Sequence, residues 1–329
     1  MADSDVRVAW QLFNLNWIPI AAMGSVLLLA IAVSNFALEP VAFGTTAAIA
    51  AVFGLIAYIH TFARGQAADP KVTFSLGTIS QVILVTAIVG PLSYVAGATH
   101  LPLQDQTFLL IDRAMGMDPE PIARFVDAHP MIACCLHTGY GFIKWPLLGI
   151  PIILTMTLRL VRLQLFIGAL CFALAVTIAI SALVPAIGTF YGLQLQAESF
   201  GTLDTTVYAA QLRDIVALRN GSLRHLELFQ LAGIVSFPSF HAASAVLYMW
   251  ALWPVRGFAS LSIATNVLMI AATPVIGAHY MIDVFGGILV AVVSIMLANR
   301  YLAFMLATGE PAQASALKAW PVQLGLDAH

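Results

Sequence analysis

Long runs of apolar residues, separated by short polar or proline-containing breaks, dominate the pattern of this chain. A run of roughly 20 apolar residues is long enough to cross the hydrocarbon core of a bilayer as an α-helix. We find about eight apolar runs, of which 240–253 is shorter than the others: residues 17–38, 41–62, 74–96, 131–154, 165–187, 240–253, 257–276 and 279–303. The pattern therefore predicts an all-α, polytopic membrane helix bundle with about eight spans.

The composition supports a membrane protein and excludes several other classes. Of the 329 residues, 60% are hydrophobic and only 9% are charged, whereas soluble domains carry about 25% charged residues. The mean hydropathy is +0.92, and the net charge of -2 does not support a nucleic-acid partner. The three cysteines lie in apolar runs without zinc-like spacing. The N-terminus lacks the basic start of a signal peptide, so we expect the first run to remain as a span.

The basic residues divide into two groups when the runs alternate across the membrane. The positive-inside rule makes one group cytoplasmic: Arg7, Arg64, Lys71, Arg159, Arg162, Arg256, Arg300 and Lys318. The other side carries two long polar segments, 97–130 and 188–237, and the runs at Phe240 and His279 both begin there. We expect an integral membrane protein whose site lies on the outer face. In a bacterial inner membrane, the expected location, that face is periplasmic, and in a eukaryote it would be lumenal.

The first motif lies at the start of the sixth run and reads Ser236-Phe-Pro-Ser-Phe-His241. Proline is favoured at the first position of a helix, and either Ser236 or Ser239 is a suitable N-cap. The free N–H groups of such a terminus, together with the helix dipole, favour an anion. His241 is then a candidate acid–base group beside that anion; the alternative is a capped membrane helix with an interfacial histidine.

The second motif, His279-Tyr-Met-Ile-Asp283, starts the last run. Residues four apart share one face of a helix, so Asp283 is placed to accept a hydrogen bond from the His279 ring and fix its tautomer. A carboxylate within a span is costly and is usually functional. The alternative interpretation is a structural hydrogen-bonded pair that joins two helices.

These two motifs resemble those of the type 2 phosphatidic acid phosphatase superfamily, which carries P-S-x-H and H-x-x-x-D. Pro238-Ser239-Phe240-His241 and His279-Tyr-Met-Ile-Asp283 match them. Many members have Ser-Arg at the positions of Ala272 and Thr273, and the family's first motif, K-x-x-x-x-x-x-R-P, is absent. Both departures, and the stretch Asp112-Arg-Ala-Met-Gly-Met-Asp118, are similar to the inositol phosphorylceramide synthase (inositolphosphotransferase) branch.

The resemblance implies a lipid phosphatase or phosphotransferase that acts on a lipid phosphate or phospholipid without a metal or other cofactor. His279 would attack phosphorus and form a phosphohistidine, Asp283 would orient it, and His241 would protonate the leaving alkoxide. Ser239 and nearby N–H groups would hold phosphate oxygens. The resemblance also implies a six-helix core, which we assign to residues 71–306, after extra spans in 1–70 and before a cytoplasmic tail, 307–329.

The phosphoryl group also needs a cation, since charge stabilisation dominates such reactions. Arg219 and Arg224 precede the first motif on the outer side and are the leading candidates. Arg113 is a further candidate that has Asp112 and Asp118 as alternative partners. Lys144, inside the fourth run, is another candidate, and snorkelling to an interface is its alternative role.

Two other functions use the same residues. A proton-coupled transporter would use His279, Asp283 and Lys144 as a relay, and it predicts charges spread through the membrane and internal pseudo-symmetry. The charges here cluster at one face, and the sequence shows no repeat. A metal hydrolase would use His241, His279 and Asp283 as ligands.

Overall fold

The fold is that of a helix bundle, seen in a computed structural model that describes residues 3–196 and 199–308. Within those residues there are fourteen α-helices and one pair of two-residue parallel strands. The helices are α1 (Asp3–Leu15), α2 (Trp17–Val33), α3 (Pro40–Arg64), α4 (Pro70–Gly97), α5 (Asp105–Ala114), α6 (Pro119–Asp127), α7 (Pro130–Tyr140), α8 (Lys144–Met156), α9 (Leu160–Leu183), α10 (Thr189–Gly192), α11 (Thr206–Arg219), α12 (Phe240–Leu252), α13 (Ala259–Ile276) and α14 (Met281–Thr308). The strands are β1 (Ala37–Leu38) and β2 (His225–Leu226).

Seven helical stretches of the described chain are long and apolar enough to cross a membrane: Asp5–Val33, Pro40–Arg64, Pro70–Gly97, Pro130–Met156, Leu160–Leu183, Ala259–Ile276 and Met281–Ala307. An eighth apolar helix, α12, is shorter. Large apolar side chains such as Leu28, Leu55 and Phe62 are exposed on the outside of the bundle, as is expected of surfaces that face lipid. The prediction of an all-α polytopic bundle is confirmed, and the chain is an integral membrane protein.

Helix α9 lies in the middle of the bundle, where its side chains Leu163, Phe166 and Leu170 are fully buried. It contacts α1, α4, α12 and α14. Polar side chains tie these helices together: Asn16 donates to the Gln164 carbonyl oxygen at 3.0 Å, and Gln164 donates to the Thr78 hydroxyl at 3.0 Å. Such hydrogen bonds between helices hold spans together where lipid offers no alternative partner.

At two places, polar contacts set a helix end that differs from the limit of the apolar run. The run 17–38 is not helical to its end, since α2 stops at Val33 and Ala37–Leu38 pair with His225–Leu226. The next helix starts at Pro40, where the Glu39 carboxylate accepts the N–H groups of its first turn. At the other end of the chain, α14 begins at Met281, two residues after the predicted start at His279.

The two long polar segments, 97–130 and 188–237, fold against each other rather than forming open loops. The stretch around Leu109 forms the short helix α5. The Asp127 carboxylate at the end of α6 accepts N–H groups of Thr202 and Leu203, both at 2.8 Å. Lys318 and nearly all of the predicted tail, 307–329, lie outside the described residues.

Candidate functional site

The first motif forms the start of α12, and Ser239 is its N-cap. The Ser239 hydroxyl accepts from the Ala242 N–H at 3.4 Å, and its own N–H donates to the main-chain oxygen of Asp283 at 2.9 Å. Pro238 precedes this cap, so it does not occupy the first helical position that the sequence predicted. His241 is the second residue of the helix and is half-buried. The cap thus joins the first motif directly to the second.

The second motif begins in the turn between α13 and α14, because His279 lies before the first residue of α14. Ala278 has a φ of 51°, in the left-handed region that residues with a side chain seldom adopt. The expectation that His279 lies in the first helical turn is therefore wrong. Its ring nevertheless reaches Asp283, with 3.2 Å between Nδ1 and Oδ2.

Asp283 is the centre of the hydrogen bonds at this site. Its Oδ2 atom contacts His279 Nδ1 and accepts from the Ser236 hydroxyl at 2.9 Å and from the Tyr280 N–H at 3.0 Å. The exposed fraction is 3% for His279 and 0% for Asp283. A carboxylate at Nδ1 fixes the tautomer of the ring and leaves Nε2 as its free nitrogen.

The second histidine of the site is held by an aromatic stack. The ring of His241 lies parallel to the ring of Tyr140, with 3.9 Å between centroids and 15° between planes. The centroid of the His279 ring is 6.3 Å from that of His241, with the planes inclined by 59°. The structure therefore brings together the three residues predicted as catalytic, and it adds Tyr140 as a neighbour.

Close approach of α14 to the cap of α12 depends on a glycine. A Cβ atom at Gly287 would lie 2.1 Å from the Ser239 carbonyl oxygen and 3.1 Å from the Ala242 Cβ atom. A side chain at this position would force the two helices apart, and with them the two motifs. Gly287 thus permits the close helix approach that small residues allow between membrane helices.

The four predicted cations are not brought to the histidines. Arg219 donates to the carbonyl oxygens of Thr99 and Leu101, at 2.6 and 3.0 Å. Arg224 donates to those of Leu218 and Leu223, at 2.8 and 2.9 Å.

The other two cations lie at the surface. Arg113 pairs with Asp118 at 3.0 Å, and Lys144 starts α8 with an exposed side chain. In the described part of the chain, no hydrogen bond of these four residues reaches His241, His279 or Asp283. Their role in binding phosphate stays a prediction.

Four further residues at the site were missed by the sequence analysis: Ser236 as a partner of Asp283, Tyr140, Asp105 and Asp112. The last two lie seven residues apart on α5, two turns along one face, and both are buried. In the sequence, the spacing of these two acidic residues within an apolar stretch was the signal that could have identified them. Nothing in the sequence connects Tyr140 with His241, which lies 101 positions further along the chain.

The geometry defines a class of protein: a bundle of membrane helices with a buried histidine–carboxylate pair and a second histidine at one end. The family model of the PAP2 superfamily matches residues 106–297, which is more than half of the chain and includes both motifs. The chain belongs to the PAP2 superfamily. This superfamily generally comprises phosphatases and phosphotransferases. No curated protein and no solved structure gives a significant match, and assignment to the inositol phosphorylceramide synthase branch stays a prediction.

Proposed function

We propose that this protein is a membrane lipid phosphatase or phosphotransferase that works through a phosphohistidine on His279. The observation that carries the proposal is the contact of His279 Nδ1 with Asp283 Oδ2 at 3.2 Å, beside His241. A nucleophile, the group that orients it and an acid–base residue are the parts that covalent phosphoryl transfer requires. The substrate class is a lipid phosphate or a phospholipid.

The proposed reaction has two displacements at phosphorus. In the first, the lone pair of His279 Nε2 attacks phosphorus, the phosphorus–oxygen ester bond breaks, and His241 gives a proton to the leaving alkoxide. In the second, His241 takes a proton from water or an alcohol, whose oxygen attacks the phosphohistidine. The phosphorus–nitrogen bond then breaks and returns its electron pair to Nε2. Asp283 stabilises the positive charge on His279 in the intermediate.

The start of α12 is the proposed holder of the phosphate oxygens. The first N–H groups of a helix have no carbonyl partner within the helix, and at α12 these belong to Phe240 and His241. The helix dipole adds about half a positive charge, which is less than a phosphoryl group needs. A cation from the set Arg113, Arg219, Arg224 and Lys144 therefore stays part of the proposal. For Arg219 and Arg224, binding phosphate requires an exchange of their carbonyl partners.

Trapping the covalent intermediate tests this function. Purified protein in detergent is mixed with a phospholipid radiolabelled at phosphorus and quenched in alkali, in which phosphohistidine is stable. We expect label on the protein that is lost in acid, and neither label nor turnover in His279→Ala. His129→Ala, which changes an exposed histidine, is the matched control. Full turnover in folded His279→Ala contradicts the proposal.

The acceptor distinguishes a phosphatase from a phosphotransferase. The same labelled substrate is offered with and without inositol, and the products are separated. Free phosphate identifies water as the acceptor, whereas label on a new headgroup that depends on inositol identifies a transferase. The departures at Ala272 and Thr273 favour the inositolphosphotransferase-like branch.

Neither of the other two functions has a specific observation in its favour. A relay for a proton-coupled transporter needs Lys144 beside His279 and Asp283, but the exposed Lys144 side chain makes no hydrogen bond to either in the described part of the chain. No group of three or more His, Cys, Asp or Glu side chains among the described residues is arranged to hold a metal ion. Substrate flux into sealed vesicles that survives loss of His279 would favour transport.

The membrane side and the domain boundaries are part of the same proposal. We assign the site to the outer, periplasmic face of a bacterial inner membrane, because the positive-inside rule favours that side. We assign catalysis to residues 71–306 and treat 1–70 as additional spans. The contacts between Asn16 and Gln164 support a second role for those spans, as packing partners of the core.

A further inference from the structure

The short outer helix α5 carries two buried carboxylates that the proposed reaction does not use. Asp105 and Asp112 are 2% and 0% exposed, although burial of an unpaired carboxylate is costly. Burial raises the pKa of both carboxyl groups, and hydrogen bonds from main-chain N–H groups oppose that rise. The N–H groups bonded to Asp112 are in segment 281–282, next to His279, and those bonded to Asp105 are in segment 187–188. Helix α5 is thus connected to the chain around His279 without touching the reacting atoms.

Asp112 acts as the cap of α14. Its Oδ2 atom accepts from the Met281 N–H at 2.7 Å, and its Oδ1 atom accepts from the Ile282 N–H at 3.1 Å. A helix is usually capped by a residue next to it in sequence, whereas this cap comes from 169 positions earlier. Its negative charge also suits the positive end of the helix dipole. Asp112 thereby fixes the start of α14 at Met281 and keeps His279 outside the helix.

Asp105 holds the other side of the histidine turn. Its carboxylate accepts the N–H groups of Ile187 and Gly188. The Tyr280 hydroxyl lies 3.1 Å from Asp105 Oδ1 and 2.9 Å from the Gly188 carbonyl oxygen, and donates its single proton to one of them at a time. In the same place the Thr189 N–H donates to the Ala278 carbonyl oxygen at 2.7 Å. This last contact anchors the residue with the left-handed backbone.

We infer that Asp105 and Asp112 are positioning residues for the phosphoryl transfer proposed above, because together they fix the main chain on both sides of His279. The inference rests on that proposed function. Residues 278 and 280–282 are all held by α5 or by the segment 187–189 that α5 holds. Within this fixed segment, the side chains of His279 and Asp283 face each other. Displacement of a reacting group by about 1 Å can cost roughly 100-fold in rate.

Asp112→Ala, Asp112→Asn and the control Glu120→Gln test the inference. Glu120 lies on the neighbouring helix α6 and forms an exposed pair with Arg124. We expect Asp112→Ala to lower kcat roughly 100-fold with little change in KM, since the reacting group is displaced but the substrate is still bound. Asp112→Asn should lose less, because its amide oxygen still accepts one N–H group. Glu120→Gln should keep the turnover of the parent protein.

Hydrogen–deuterium exchange over residues 278–283 gives a readout that does not depend on turnover. We expect faster exchange there in Asp112→Ala, with the rest of the bundle unchanged. Unchanged exchange over 278–283, or a parent-like kcat in folded Asp112→Ala, overturns the inference. If the parent protein forms no phosphohistidine, the proposed function fails, and the exchange result still decides whether α5 anchors the turn.

Tyr280→Phe covers the case in which Asp112→Ala does not fold. It removes only the hydroxyl group that joins the turn to Asp105 and Gly188, and it keeps the buried ring. We expect a smaller loss of kcat, again with KM nearly unchanged, and faster exchange at residues 278–280. A kcat equal to that of the parent, with exchange unchanged, overturns the role of Asp105.

Discussion

Tyr140 and His241 lie face to face, with 3.9 Å between their ring centroids, although one belongs to α7 and the other to α12. The stack limits rotation of the imidazole that we propose as the proton donor. Aromatic pairs contribute about 1 kcal/mol beyond the area that they bury. We therefore expect Tyr140→Leu to lower turnover roughly fivefold if that energy holds His241 in its reactive orientation.

Tyr140→Phe is the matched control for the stack, since it keeps the ring and removes only the hydroxyl group. Its turnover should stay close to that of the parent protein. Equal losses in the phenylalanine and leucine variants would show that the hydroxyl group, and not the stack, matters. Steady-state turnover of a soluble lipid phosphate by protein in detergent is a sufficient measurement.

Substitutions of Asp283 and Ser236 should lower turnover by different amounts, because only Asp283 contacts His279. Asp283→Asn loses the charge that stabilises the histidine in its reactive tautomer, and we expect turnover to fall roughly 100- to 10,000-fold. Ser236→Ala removes one donor to Asp283 Oδ2, and the two remaining contacts should limit its loss to about tenfold. A Ser236→Ala effect as large as that of Asp283→Asn would contradict this order. Turnover per folded molecule is the quantity to compare.

Gly287→Ala should displace the residues of the site, although Gly287 is not one of the proposed reacting residues. The new methyl group would lie 2.1 Å from the Ser239 carbonyl oxygen, so α12 or α14 must move; such overpacking costs about 1–3 kcal/mol. We expect a lower Tm together with lower turnover. Gly44→Ala in α3 is the control, because a Cβ atom there meets nothing within 4 Å. Its Tm should stay equal or rise.

Arg219→Ala and Arg224→Ala separate phosphate binding from loop anchoring. The carbonyl contacts alone predict a lower Tm, since each change removes two hydrogen bonds to main-chain oxygens. The proposed phosphate role adds a loss of turnover of roughly 100-fold in protein that is still folded. Arg→Lys should restore turnover only in part, because lysine lacks the bidentate geometry. If turnover in both alanine variants stays close to that of the parent protein, neither arginine binds the phosphoryl group.

The membrane orientation is tested by single cysteines at Arg159 and Ser222, both exposed. The background is a variant in which Cys134, Cys135 and Cys171 are replaced by alanine. In sealed cells, an impermeant thiol reagent should label Ser222→Cys and should reach Arg159→Cys only after lysis. Labelling of both positions before lysis contradicts the proposed topology.

The spans and the two motifs were predictable because their signals are local. A membrane helix is encoded by a contiguous apolar run, and Asp283 follows His279 at a spacing that brings the two together even though His279 lies outside the helix. The N-cap at Ser239 is likewise set by residues next to it. Helix ends were less accurate where distant groups decide them, as at Val33, where β1 follows, and at Met281, where Asp112 caps.

The supporting contacts of the site were not predictable, since each joins residues far apart in the chain. The contact of Asp112 with Met281 spans 169 positions, and that of Tyr280 with Asp105 spans 175. Arg224 was predicted to bind phosphate because it lies close to the first motif in the sequence. It precedes the first motif by only 12 positions, but its guanidinium group turns back to the Leu218 carbonyl oxygen.

The small parallel pair β1–β2 bears on how much of the chain is needed for an isolated, working protein. Ala37 donates to the Arg224 carbonyl oxygen, and Glu39 donates to that of Leu226, both at 2.9 Å. A fragment cut at residue 106, where the family match begins, would expose these two acceptors and free the polypeptide that leads into Ser236. Expression of the matched region alone is therefore expected to give a poorly assembled product, and a minimal working version must start before Ala37.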